Sequence, residues 1–304
     1  MNAEDTDRST SPGGDRGATP IGRTDGDTGP MGSSHEHHDH EHHDHGAAEH
    51  WATALGRWAI PEHILEQAPE SPWIHPVSSF TPTGDLHVDT PSRHRALEAL
   101  AGITAPSVLD IGCGGGRAAF GLVPPAIEVI GVDHQAGMLE VFERMADERS
   151  VVSTTVLGDW PDVVGSTPMA DVVVCHHVFY NVADLVPFVR ALTGRARHRV
   201  VVELPQRHPL SNLSAAWRTF WGLERPEAPT ADDALAVVRS TGVDARLEPF
   251  TQPTPVERPP ITDTDVAHMR IRLCLTADRD EEVRRFMEAN PAGPRDLATI
   301  WWDV

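Results

Sequence analysis

The chain has 304 residues, room for one domain of about 200–250 residues with tails or for two small ones. Hydrophobic residues make up 39% and charged residues 23%, and 45 acidic against 25 basic side chains give a formal net charge of −20, which argues against a nucleic-acid backbone as the main partner because such binding rests on clustered Lys and Arg. No apolar run approaches the roughly 18–20 residues of a membrane span, no charged-then-apolar secretory signal opens the chain, and Cys113, Cys175 and Cys274 are odd in number and far apart, so a cytoplasmic protein with reduced thiols is expected, without a disulfide framework or zinc knuckle.

Residues 1–50 contain no aromatic side chain and carry 11 acidic residues against 3 arginines. Such a segment cannot bury enough apolar surface to offset its ordering entropy, so it reads as a disordered tail. Within it, residues 35–45 hold seven of the 18 histidines: His35, His37, His38, His40, His42, His43 and His45. Imidazoles mixed with carboxylates are competent ligands for Zn²⁺, Ni²⁺ or Cu²⁺. The ordinary alternative is a solvated polar tract with no cellular role in metal binding. An aromatic and proline-rich lead-in follows over 51–90, with Trp51, Trp58 and Trp73 and prolines at 61, 69, 72 and 76 that permit only short helical pieces, such as 61–67.

Thr90 before Pro91 reads as an N-cap and first helical position, and Gly102 as the stop, which predicts a helix over 91–101. Strands and helices then alternate. Strands are predicted at Ser107–Ile111, Ile127–Val132, Val151–Leu157, Asp171–Cys175, Arg199–Leu204, Asp244–Phe250 and Leu297–Asp303. Helices are predicted at 116–122, 135–148, near 182–193, from the Thr230 cap to Ser240, and near 262–289. This alternation predicts an α/β fold, a mostly parallel sheet with helices on both faces, occupying 91–304 with inserts near 205–229 and 255–292.

The strongest local signal is Val108-Leu109-Asp110-Ile111-Gly112-Cys113-Gly114-Gly115-Gly116-Arg117. A strand ends, the chain turns on glycines, and a helix begins. Gly112, Gly114 and Gly116 would let a ligand approach the main chain, and the helix would offer N–H groups to an anion. Seventeen residues past Gly116, the second strand ends at Asp133, an acid placed to accept hydrogen bonds from ribose hydroxyls. A nicotinamide dinucleotide turn has the pattern G-x-G-x-x-G, whereas here it is G-x-G-x-G with Asp110 two residues before it.

At these residues, over roughly 91–250, the sequence resembles the class I S-adenosylmethionine-dependent methyltransferases. The resemblance implies a Rossmann-like sheet of seven strands, the last one antiparallel. It implies that Gly112, Gly114 and nearby backbone hold the methionine part of S-adenosylmethionine, with Asp110 near its ammonium group and Asp133 on the ribose. Gly158-Asp159-Trp160 matches the third motif, in which the acid accepts from the adenine amine and the next residue packs on the ring. Singly, these acids could be turn or loop residues and Trp160 could be core. Jointly they fall at the carboxyl ends of three successive strands, where open α/β sheets bind ligands.

Methyl transfer needs a base only when the acceptor carries a proton. His176 and His177, after the fourth strand, are candidates for that base, and Tyr180 for orienting an acceptor; walling the pocket is the plainer role for the two histidines. Trp217, Phe220 and Trp221 recur at helical spacing and are expected to pack first, with a lid as a second duty. Glu203 and His208, near the end of the fifth strand, are candidates to contact the acceptor, with a structural role at the pocket edge as the equal alternative. The expected function is methylation of a small organic acceptor without nucleic-acid or membrane partners. The alternatives are methylation of RNA or protein, and a non-catalytic module that binds S-adenosylmethionine or senses metal through its histidines.

Overall fold

The computed structural model describes residues 38–73, 81–254 and 260–304, the side chains of 38–45 excepted. Strands β1 (Ser107–Ile111), β2 (Glu128–Asp133) and β4 (Ala170–His176) are almost wholly buried apolar runs, as strands covered on both faces must be. With β3 (Val152–Leu157), β5 (Ala196–Pro205), β6 (Arg246–Gln252) and β7 (Arg295–Asp303) they form one sheet in the order β3-β2-β1-β4-β5-β7-β6. β7 runs antiparallel to both neighbours, and the other strands are parallel. This is the Rossmann-like arrangement that the resemblance implied.

Helices α3 (Pro91–Leu100), α4 (Arg117–Phe120) and α5 (Ala136–Arg149) cover one face through Ala96, Leu100, Phe120, Phe142 and Met145. Helices α1 (His38–Gly56), α6 (Leu185–Thr193) and α8 (Ala231–Ser240) cover the other through Trp51, Phe188, Leu192 and Val237. Full burial of one such aromatic contributes about 1.5–3 kcal/mol. The caps behave as predicted: Thr90 accepts from the Arg93 N–H, and Thr230 closes a capping box with Asp233. A third cluster, built on Ile64, Trp217, Val266 and Val283, joins α2 (Glu62–Leu65), α7 (Ser214–Trp221), α9 (Asp263–Arg272) and α10 (Asp280–Ala289) into a cap beside the sheet. Trp217 is therefore packing, as expected. So is Trp302, whose indole donates to Thr193 Oγ1 at 3.0 Å.

Two expectations need correction. The boundary between tail and body, expected at residue 50, lies inside α1. Trp51 anchors that helix, fully buried and donating to the Val182 carbonyl at 2.8 Å, while Ala47 and Ala48 pack on the same core. The helical segment expected over 262–289 is two helices, broken where Cys274 takes a left-handed φ of 56°. Arg270 is buried in the bend, with Nε 2.8 Å from Asp280 Oδ1. His35 and His37 lie outside the described residues, as do the side chains of His38, His40, His42, His43 and His45. Among the described residues no group of three or more His, Cys, Asp or Glu could hold a metal ion, and no helix is long and apolar enough to cross a membrane.

At the amino ends of the central strands, buried Asp171 ties β4 to β1. Its Oδ2 accepts from the backbone N–H and the hydroxyl of Ser107, both at 2.8 Å, and Arg197 reaches Oδ1 at 3.3 Å. Burial alone would raise its pKa, but the Ser107 and Arg197 contacts outweigh it and hold the carboxyl below its ordinary value. A depressed folded-state pKa stabilises above the unfolded value and is lost as pH falls through the folded one. Asp171→Asn is thus expected to cost about 1–3 kcal/mol at pH 7, read as a lower urea midpoint, with the gap from wild type closing below about pH 4.

Candidate functional site

The turn after β1 is built by its glycines. Gly112, Gly114 and Gly116 have φ of 68°, 50° and 84°, which residues with a Cβ adopt only at a cost. A Cβ at Gly112 would lie 2.5 Å from Val178 Cγ2, and one at Gly116 would lie 2.3 Å from the Phe120 ring and 2.7 Å from that of Phe142. At these two positions the missing side chain makes room for protein packing. The helix after the turn is only one turn long, and its Ala119 N–H goes to Asp110 Oδ2 at 3.2 Å.

Asp133 closes the turn from the end of β2. Its Oδ2 accepts from the Gly114 N–H and its Oδ1 from the Gln135 N–H, each at 2.9 Å. A carboxylate oxygen has two lone pairs, so each keeps capacity for a further donor. Asp110, 2% exposed, lies beneath. Burial pushes its pKa up to about 7, and the nearby Asp133 charge adds to this against the Ala119 hydrogen bond. At the end of β3, the Gly158 N–H donates to the Asp133 carbonyl at 3.0 Å, which brings the third expected acid into the same row. Asp159 is exposed. Trp160 is half-buried against the core, its indole donating to the Phe188 carbonyl at 3.4 Å. The acids expected at the carboxyl ends of three successive strands thus line one edge.

After β4 the three candidates separate. His177 has a φ of 61°, donates its backbone N–H to the Glu203 carbonyl at 2.7 Å, and places Nε2 3.3 Å from Glu203 Oε1. His176 has a buried Nε2 without a hydrogen-bond partner among the described residues. Burial lowers its basicity, with Glu203 opposing and His177 adding to the fall. Tyr180 is corrected. It is 4% exposed, its hydroxyl donates to the Pro205 carbonyl at 2.9 Å, and its ring stacks on Trp51. Burial raises its pKa well above the usual value. A phenol spent in this way is not free to orient an acceptor.

Sequence reasoning missed the side chains that hold Glu203. Glu203 Oε2 accepts from Ser92 Oγ at 2.6 Å, and that hydroxyl lies 2.6 Å from Thr299 Oγ1. Burial alone would raise the Glu203 pKa, but His176, His177 and Ser92 together hold it down to about 2. Ser92, His176, Glu203 and Arg117 line a cavity of about 100 Å³, which Gln252 also borders.

Gln252 borders a second, much larger cleft of about 2550 Å³ on the β5–β7–β6 side. The sheet contributes Pro205 and Leu297, and the cap contributes Leu213, Met269 and Phe286. His208 stands in its wall, stacked 4.1 Å over Trp58, and its Nδ1 accepts from the Leu210 N–H at 3.2 Å. Burial, helped by Arg225, lowers its pKa to about 4, so it is a neutral imidazole at pH 7. Arg225 itself is sandwiched 5.2 Å from the Trp58 ring and 5.3 Å from that of Trp217, and nothing in its local sequence signals this.

Residues 108–197 match a family model described as a methyltransferase domain. An uncharacterised protein of Haemophilus influenzae is 26% identical over 220 residues, covering 68% of this chain and 80% of that protein. A ubiquinone biosynthesis O-methyltransferase of Coxiella burnetii is 25% identical over 112 residues, 37% of this chain and 47% of the enzyme. A cypemycin N-terminal methyltransferase of a Streptomyces species is 30% identical over 122 residues, 40% of this chain and 46% of the enzyme. This chain thus aligns with about half the length of those two enzymes.

Proposed function

We propose that the chain, whose residues 108–197 match a methyltransferase-domain model, transfers a methyl group from S-adenosylmethionine to a small organic acceptor held in the cleft beside β5. The observation that carries this reading is a shared border: Gln252 lines both the large cleft and the small cavity walled by His176 and Glu203. A net charge of −20 and an acid-lined donor edge suit a neutral or cationic organic molecule better than a polyanion.

The donor edge also fits the cationic S-adenosylmethionine. A carboxyl raised to about 7 beside a second acid is a site short of a cation, and the ligand's ammonium group supplies one. In this reading Asp110 faces the ammonium, Asp133 accepts from the ribose hydroxyls, Gly112, Gly114 and Gly116 shape the turn, and Asp159 and Trp160 hold the adenine. The bound donor supplies a methyl group already activated on a positively charged sulfur. The protein's task is to align the acceptor with it and to exclude water.

Calorimetry with S-adenosylhomocysteine tests the donor half. Wild type is expected to bind, and Asp133→Ala to bind about a hundredfold more weakly, as the loss of two charge-assisted hydrogen bonds implies. Incubation with methyl-labelled donor and a fractionated extract tests the acceptor half. Label in low-molecular-weight material supports the reading, whereas label in RNA or protein, or none, overturns it.

A further inference from the structure

His177 is held from several sides at the carboxyl end of β4. Its φ of 61° costs about 1–2 kcal/mol in a residue with a Cβ. Strain of this kind persists only where the surroundings over-determine it, and here they do. The backbone N–H is fixed by the Glu203 carbonyl, and the ring nitrogen Nε2 faces Glu203 Oε1 at 3.3 Å. The next residue, Val178, fills the space in front of Gly112, so His177 is one residue from the donor turn. Its side chain remains 40% exposed.

Glu203 is the rigid partner. It is 8% exposed, and Ser92, itself 1% exposed, anchors its second oxygen between α3 and β7. A carboxylate facing Nε2 can only accept, so it selects the ring form protonated at Nε2 and leaves the lone pair on Nδ1. His176 does not compete for the acceptor's proton, because burial lowers its own basicity.

We infer that Glu203 is a positioning residue that makes His177 Nδ1 the base of the reaction, and that the acceptor is a nucleophile that must shed a proton, a hydroxyl or an N–H group, not a thioether or tertiary amine. The inference rests on the methyl-transfer reading and deepens it. As the acceptor's oxygen or nitrogen bonds to the methyl carbon, the carbon–sulfur electron pair passes to sulfur and leaves a neutral thioether. The acceptor's proton moves to Nδ1. The imidazolium that forms is countered by Glu203 and later returns the proton to water, so one positive charge enters the step and one leaves it.

The test is nuclear magnetic resonance of the full chain labelled with ¹⁵N-histidine. Ring signals absent from His177→Asn belong to His177, and Asn tolerates the left-handed backbone. Near pH 8 the wild-type ring is expected to carry its proton on Nε2. Glu203→Gln keeps the side-chain shape but presents an amide that can donate, and is expected to bring the Nδ1–H form to a comparable population. A wild-type ring protonated at Nδ1, or an unaltered ratio in Glu203→Gln, overturns the inference. In the labelled-extract assay, incorporation by His177→Asn is expected to fall at least about a hundredfold, and unchanged incorporation also overturns it. Calorimetry on the same samples separates the two levels. A wild type that fails to bind S-adenosylhomocysteine brings down the methyl-transfer reading, whereas a protein that binds it but shows the wrong tautomer brings down only the role of Glu203.

Discussion

Asp110→Asn is expected to make the free protein more stable and a poorer binder of the donor. A carboxyl held at about 7 by burial, against about 3.9 in an unfolded chain, disfavours the folded state when it ionises. The sign follows from linkage. For an acid whose folded pKa is raised, the folded state binds more protons between the two values, so stability declines as pH rises from about 4 to 7. The full penalty at pH 8 is up to about 4 kcal/mol. Asparagine has the same shape, and its carbonyl can still accept from the Ala119 N–H, which now meets Asp110 Oδ2 at 3.2 Å. The variant should therefore exceed wild type in urea midpoint at pH 8 and lose that advantage near pH 4. Its affinity for S-adenosylhomocysteine, which keeps the ammonium group, should fall about tenfold or more at pH 8, because a charge-assisted contact is worth about 1.5–3 kcal/mol. Wild-type affinity should itself weaken below pH 7 as Asp110 takes up its proton. If the variant gains stability with no loss of affinity, Asp110 belongs to the turn and not to the ligand.

The pairing of higher stability with weaker binding is what a site short of a counter-charge should show, and only half of it could be read from the sequence. The order of strands was legible because parallel strands buried on both faces are unbroken apolar runs. Thr90 with Pro91, and Thr230 by itself, marked helix starts through residues local to each cap. The acids at 110, 133 and 159 were legible because a strand end is itself a place in the fold. What stayed hidden depends on partners distant in the chain. Ser92 meets Glu203 across 111 positions and Thr299 across 207, and neither neighbourhood signals the other. Tyr180 looked available because its partner, the Pro205 carbonyl, is main chain. The break after α9 sets Arg270 beside Asp280 across a left-handed Cys274, which helical periodicity cannot report. Glycine spacing correctly marked the turn, yet spacing alone does not separate a glycine that clears a ligand from one that clears a neighbouring side chain.

That distinction yields the second large effect. Gly116→Ala is expected to destabilise by about 2–5 kcal/mol, combining left-handed strain of about 1–2 kcal/mol with an overpacking cost of about 1–3 kcal/mol. The new Cβ would lie 2.3 Å from a Phe120 ring buried on every side, so no neighbour can yield cheaply. Gly112→Ala carries the same strain, but its obstacle is one methyl of the half-buried Val178, at 2.5 Å. Removing it, together with the other γ-methyl, in Gly112→Ala/Val178→Ala should return the overpacking part and leave the strain. The double variant should then be more stable than the sum of the two single changes predicts, by about 1 kcal/mol or more. Urea midpoints of the four proteins, measured without ligand, give the coupling directly. Additive losses would mean that Gly112 and Val178 do not share space, and would return Gly112 to the role first expected of it, keeping the main chain open to a ligand.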